Sequence, residues 1–506
     1  MLLKIFSERK QSRLISALQF LIPAIIAILL GVIIAQGNII LLIVFFGAIF
    51  AVLLFRSPLM MLWSVVIGGL VFSGLAELYL PQLRYIRWAV VLGAQALLAI
   101  AVFRRLTGSG QPIYNKGAQI SPLVWMGAFA LVALFSGLFN YGLSFETVIG
   151  LKGYFQVWGI ACAMAWLGLN REQADRFMGG LFWLAVLQIP FAIHQFLFLV
   201  PLRLTQEAAN KGIVALDIVV GTFVGNMEGG GANIVLASLQ VIVIGILVGF
   251  WRMGKISGIK ILTLSFIFLV PIALNEAKAV VIFIPVMLAI MFQDTLIKKP
   301  FQTIFGAIMV LGLMLALLVG YSFLPRTESQ ETGGLSDLYE DTIAYNIGNE
   351  GYGTNQLNRT TVYSFWASRH GLDNLPETLI GHGLGTTNEA ELGLMKNSLA
   401  KTTYYEVGIG LTAMSSLLWE VGIIGAFLML AIFLSAFISA HKLANQQSKN
   451  SRQYVYLKAA QVGFALLFVN VMHNNYLIFE VGFQTLLMVL LGYILHFERT
   501  AYEQSQ

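Results

Sequence analysis

Apolar runs of fourteen to twenty-nine residues, most of them broken by short polar stretches, recur from residue 14 to residue 497. A helix needs roughly 17–25 apolar residues to cross about 30 Å of hydrocarbon, so the pattern predicts membrane-spanning helices rather than the core of a soluble domain. Spans are expected near 14–35, 39–55, 57–78, 88–103, 122–139, 153–169, 178–200, 233–251, 261–274, 279–293, 303–324, 411–439, 458–479 and 483–497. The predicted fold class is therefore an all-α polytopic membrane protein with about fourteen transmembrane helices. Most connections are short, which makes neighbouring helices pack side by side, and only 325–410 leaves the bundle for long. Three regions result: 1–324 with about eleven spans, a large loop at 325–410, and 411–506 with about three more.

Composition supports the pattern. Of 506 residues 58% are apolar and 11% charged, and the mean hydropathy is +0.79, more than a soluble chain can hide. The run 14–34 follows Lys4, Arg9, Lys10 and Arg13, but it is too long for a signal peptide, has no small-residue cleavage site and leads directly into a second span. One cysteine, Cys162, excludes a disulfide framework and a thiolate metal cluster, and no zinc-type site is indicated. The net charge of +6 matters less than its distribution. With the N-terminus inside, twenty of the thirty-one Lys and Arg fall in inner loops although the longest loop is outer, as the positive-inside rule requires. Both termini are then cytoplasmic, in a bacterial inner membrane, and 325–410 is periplasmic.

The long loop carries five cations against eleven carboxylates, a net charge of −6. Such a surface does not suit nucleic acid or phosphate as a whole, so an anion site there must be a local pocket. The Gly-, Ser-, Asn- and Tyr-rich stretch 328–358 reads as irregular, and 359–370 as a helix presenting Arg359, Tyr363, Trp366 and His370 at i, i+4, i+7 and i+11. Asn275, Glu276 and Lys278 interrupt an apolar run. A lysine near the bilayer middle costs roughly 2.5–3.5 kcal/mol, so Lys278 faces the protein interior or the interface. Arg84 and Arg87 precede a span and read either as anion ligands or as snorkelling anchors. The stretch 221–237, GTFVGNMEGGGANIVLA, is a glycine-rich turn entering a helix near Asn233, either an anion-binding N-terminus or a tight loop. His473, with Asn474, Asn475 and Tyr476, ends the penultimate span, where it can accept a proton or tie two helices together.

Ordered together, these stretches resemble the O-antigen ligase and O-antigen polymerase superfamily of bacterial envelope glycan enzymes. NRTTVYSFWASRHGLDNLPETLIGHGLGTTNEAE, from Asn358, is similar to the family's outer-loop signature, with Arg359 opening an aromatic helix and a Gly381-His382-Gly383-Leu384-Gly385 turn after it. SSLLWEVGIIGAF is similar to the post-loop helix, with Glu420, Gly422 and Gly425 at the expected spacing. GTFVGNMEGGGANIVLA is similar to the family's Gly-Thr-Phe…Asn…Ala segment, and LNEAKAVVIF places Lys278 where an arginine is usual. One position departs: ligase members usually carry a histidine nine residues before the glutamate, and this chain has Leu411.

The resemblance implies a GT-C-like helix bundle and a metal-independent, inverting glycosyltransferase without cofactor. Its partners would be an undecaprenyl-diphosphate-linked glycan as donor, a growing polysaccharide or acceptor glycan, the lipid bilayer and other polysaccharide-assembly membrane proteins, with no nucleic acid. Arg359, Lys278, Arg84 and Arg87 are then the expected diphosphate ligands, and Tyr363, Trp366, Asn226 and Asn233 the glycan contacts. With Leu411 in the usual histidine place, His473 is the first candidate base, His382 the second and Glu420 the third. The expected activity is polymerisation of lipid-linked repeat units into exopolysaccharide or O-antigen, with ligation of the glycan to an acceptor as its near neighbour. A lipid-linked oligosaccharide flippase or other transporter is the alternative of another class, although transporters tend to carry internal repeats and charges along a central path, and neither is evident here.

Overall fold

A computed structural model describes residues 56–83, 85–107, 121–142, 144–204, 214–275, 277–298, 301, 312, 356–388, 398–405 and 407–505. The expected spans 14–35 and 39–55, the span 303–324 apart from residue 312, the stretch 328–355, and Arg84 lie outside these residues. The chain divides into two compact units, Met1–Met61 and Leu62–Gln506. The second unit contains the described parts of 325–410 together with the helices before and after them.

Helices dominate the described residues, and the sole β pairing among them is an isolated bridge between Gly225 and Gly231. Among the described residues eight helices are long and apolar enough to cross a membrane: Pro58–Tyr79, Pro81–Leu106, Pro122–Tyr141, Arg171–Arg203, Asn233–Arg252, Ala413–Gln446, Arg452–His473 and Val481–Thr500. The chain is thus a multi-pass membrane protein. The expected span 153–169 is instead a pair, Phe145–Phe155 and Trp158–Trp166, bent by 57°, and 261–274 and 279–293 become the shorter helices Gly258–Leu274 and Val280–Met291. The expected spans 57–78, 88–103, 122–139, 178–200, 233–251, 411–439, 458–479 and 483–497 each overlap one of the eight, although 458–479 runs past the end of its helix at His473.

Polar residues set the helix boundaries. Asn170 and Gln173 form a reciprocal capping box, as do Thr412 and Ser415, while Ser144, Ser257 and Ser451 cap their helices through their hydroxyls. Helices 233–252 and 481–500 are the most enclosed, with 89% and 94% of their spanning windows buried, and they form the centre of the bundle. Contacts distant in sequence tie its two ends. At one end Arg104 donates to Leu167 O, Arg499 to Ala165 O, Ser121 to Glu498, and Lys449 pairs with Asp294 at 2.7 Å. The two arginines satisfy carbonyls that helix 158–166 leaves open at its C-terminus. At the other end Asn140 donates to Gly381 O, Tyr476 to Gly231 O, and Asn275 to Asn233 O. That second end carries 356–388, 398–405 and 407–412 and is the loop end of the bundle.

Candidate functional site

At the loop end, helix Ala413–Gln446 is broken. Gly422 has φ 65° and ψ −169°, a backbone conformation essentially confined to glycine. The break frees the carbonyls of Trp419 and Glu420, and the Gly381–Gly385 turn inserts there to receive them: His382 N donates to Trp419 O at 2.8 Å and Gly383 N to Glu420 O at 3.1 Å. Ser136 Oγ adds a second bond to Glu420 O at 2.7 Å. A Cβ on Gly381 would lie 2.5 Å from Val421 N, so the turn approaches the helix as only glycine permits. The non-helical backbone at the break has its polar groups paired within the protein, as an interrupted membrane helix requires.

The turn sets Thr387 against Glu420. Glu420 is fully buried, and its Oε1 accepts from Thr387 Oγ1 at 2.5 Å and from Thr387 N at 3.2 Å. Glu420 also lines a narrow crevice shared with Tyr154, Lys152, Asn388 and Phe479. Neither Glu420 Oε2 nor the Tyr154 hydroxyl makes a hydrogen bond of ordinary geometry.

The helix expected over 359–370 runs from Thr361 to Arg369, two residues later than its first expected member. Asn358 displaces the start: its Oδ1 accepts from Thr360 N and Thr361 N at 2.9 and 2.7 Å, while its own N–H donates to Thr361 Oγ1. Arg359 therefore sits in the entering turn, half-buried, and its Nε donates to His473 O at 2.8 Å. This guanidinium closes the C-terminus of helix Arg452–His473. Tyr363 reaches the same junction, its hydroxyl 2.9 Å from Thr412 Oγ1, and burial pushes its pKa up against that bond. Ala413 N donates to Asn474 O, so the start of one spanning helix and the end of another are held by the loop segment between them. His473 Nδ1 is buried without a hydrogen-bond partner.

Trp366 stacks on His370, with centroids 4.6 Å apart and planes 12° apart, and Trp419 meets His370 edge-on at 4.8 Å. His370 Nδ1 lies 2.9 Å from Trp366 O and its Nε2 lies 2.9 Å from His382 Nε2. Burial lowers the pKa of His370, and lowers that of His382 to about 4, with His370 contributing second and Glu377 opposing. Both rings are neutral at pH 7. The indole nitrogens of Trp366 and Trp419 are buried without partners.

The structure brings Arg359, Tyr363, Trp366, His382, Glu420 and His473 to the loop end. No protein-family model matches the chain, and no curated protein matches it. A functional reading therefore rests on geometry. Arg87 pairs with Glu77 at 3.7 Å, and Lys278 is half-buried in the turn between helices 258–274 and 280–291. Asn226 is exposed and turns its Oδ1 onto Glu228 N, which shapes the glycine-rich hairpin. Asn233 opens its helix as expected, but its amide is engaged with Asp217 and Asn275 O. Among the described residues no three His, Cys, Asp or Glu side chains converge as metal ligands would. Helical spacing placed His370 on the face of Trp366 without a chemical role, whereas Thr387, Tyr154 and Trp419 join the cluster from positions that spacing did not select. The glycine signature around His382 was the one available pointer to them.

Proposed function

We propose that the protein is a membrane-embedded glycosyltransferase that extends a polysaccharide from oligosaccharide units carried on undecaprenyl diphosphate, working at the periplasmic face of a bacterial inner membrane. The observation that carries this reading is the convergence at the loop end. The His382 turn and Glu420 meet at a broken helix, with the Tyr154 hydroxyl beside the buried carboxylate and two indole N–H groups lacking partners, while Arg359 closes the neighbouring helix end at His473 on the same end of the bundle. Buried polar atoms without partners cost about 1–3 kcal/mol each, and they are retained where a ligand can use them.

The chemistry follows from these groups. The acceptor hydroxyl gives its proton to a base as its oxygen bonds the anomeric carbon, and the bond from that carbon to the diphosphate breaks with its electrons on the leaving group. Arg359 and Lys278 are the cations assigned to that developing charge, acting in a low-dielectric setting where fixed cations are most effective. Trp366, half-buried over His370, is the aromatic side chain assigned to the glycan, with Trp419 packed beneath it in the core. Of the three candidate bases, His382 has a hydrogen-bonded partner that orients its ring, the arrangement that nucleophile activation by histidine requires. Placing the periplasm at the loop end puts Arg104, Arg171, Arg176, Arg252, Lys449, Arg452 and Arg499 on the cytoplasmic side, in keeping with the positive-inside rule.

The test is polymer synthesis by the purified protein in liposomes, supplied with lipid-linked oligosaccharide extracted from the host's membranes. Chain growth in the wild type, lost in Arg359→Ala, is expected. Unextended oligosaccharide with the wild type, but its appearance across the liposome membrane, would replace this reading with a flippase.

A further inference from the structure

The His370–His382 pair holds information about protonation that the rest of the loop end does not. His370 Nδ1 faces Trp366 O, a carbonyl that can only accept, so Nδ1 carries the proton. A neutral ring protonated at Nδ1 has a bare Nε2. That atom lies 2.9 Å from His382 Nε2, which must then be the donor. His382 is left with its lone pair on Nδ1. The alternative, a doubly protonated His370, is opposed by its burial between Trp366 and Trp419.

We infer that His370 is a positioning residue: its bare Nε2 holds His382 as the Nε2–H tautomer, so that His382 Nδ1 is the nitrogen that takes the acceptor's proton. This rests on the glycosyltransferase reading for its catalytic half and on geometry alone for its tautomeric half. Three elements build the device. Helix 361–369 and its exit bring His370, the inserted turn brings His382, and helix 413–446 brings Trp419, whose edge fixes the His370 plane. When the acceptor proton reaches His382 Nδ1, the imidazolium shares its charge through Nε2–H···Nε2 with His370, and the proton leaves to solvent after the product departs. Glu377, on helix Leu375–Ile380, is the charged group that acts on both rings and favours the protonated state. His370 itself touches neither donor nor acceptor in this scheme.

The experiment has a substrate-free arm and an activity arm. Full-length protein with 15N-labelled histidine, its ring signals assigned through the His370→Gln and His382→Gln variants, reports the tautomer of each ring. His382 is expected as the Nε2–H form in wild type and in His370→Gln, whose amide oxygen keeps an acceptor near the same place, and as a mixture in His370→Phe. In the activity arm, with lipid-linked oligosaccharide from the host's membranes, His370→Phe is expected to lower kcat by about 10- to 100-fold with KM little changed. His370→Gln should recover most of the rate. An Nδ1–H His382 in wild type, or an unchanged tautomer in His370→Phe, overturns the inference. So does a changed tautomer with activity within twofold of wild type. A wild type that extends no oligosaccharide sinks the glycosyltransferase reading instead, and the tautomer arm still decides the geometric claim. Size-exclusion profiles matching wild type separate these outcomes from misfolding, and His370→Gln stands as the second variant if His370→Phe fails to fold.

Discussion

Replacing Gly422 by alanine tests the broken helix most directly. At φ 65° and ψ −169° a residue with a Cβ costs about 1–3 kcal/mol relative to glycine. The new methyl would also lie 2.5 Å from Ile380 N, against backbone at the end of helix 375–380, which cannot swing aside as a side chain can. Relief means withdrawing the 379–383 segment or straightening helix 413–446. Either movement breaks the bonds from His382 N to Trp419 O and from Gly383 N to Glu420 O, at about 0.5–1.5 kcal/mol each. The total is roughly 2–6 kcal/mol, and a straightened helix would also carry Glu420 away from Thr387. In detergent, melting followed by tryptophan fluorescence should fall by roughly 5–10 °C, since a kcal/mol is worth about 2–4 °C in domains of 150–250 residues and less in a longer chain. Gly127 is the control. It sits in helix 122–141 with nothing within 4 Å of a built Cβ, so Gly127→Ala should change melting little or raise it slightly. If Gly422→Ala melts within 2 °C of wild type and keeps its activity, the inserted turn does not hold the helix open.

Arg359→Lys should lose most activity at normal expression, because a lysine can neutralise charge but cannot keep the planar Nε contact to His473 O while presenting its other donors; activity above half of wild type would count against the donor assignment. Thr387→Val removes the 2.5 Å bond to Glu420 and leaves a buried carboxylate with less support, so it should destabilise by about 1–3 kcal/mol, whereas Glu420→Gln, which keeps an acceptor, should cost less; equal melting of the two variants would refute that ordering. With His382 held to a pKa of about 4, its basic form persists as pH falls from 8 to 5 and is lost only as pH falls through that value, so a kcat/KM profile bending near 6.5 would exclude free His382 as the titrating base. In a Cys162→Ala background, an impermeant thiol reagent should label Ser368→Cys but not Ser448→Cys in cells with a permeable outer membrane, both positions being exposed; the reverse pattern would invert the topology.

The spans within the described residues were legible because hydrocarbon imposes a length on any apolar helix, and Asn170, Ser257, Thr412 and Ser451 mark starts by supplying oxygens to open N–H groups. Helical spacing singled out Arg359, and the resemblance to the O-antigen ligase and polymerase superfamily drew attention to the 381–385 turn and Gly422. The sequence could not show that the turn and the break complete each other, since the pairing of 382–383 with 419–420 spans nearly forty residues and leaves no periodicity. Nor could it tell 153–169, a plausible single span by composition, from a pair bent by 57°. Bending depends on how neighbouring helices pack, not on apolarity. His370 shows the limit most clearly. One histidine on a helix and another twelve residues on have no chemical relation in one dimension, and only the packing of Trp366 and Trp419 around them sets two ring nitrogens 2.9 Å apart. Local propensity and the bilayer determined where the helices run, while the meeting of polar groups at the loop end was decided by tertiary contacts, because hydrogen bonds depend on distance in space and composition records only what is present.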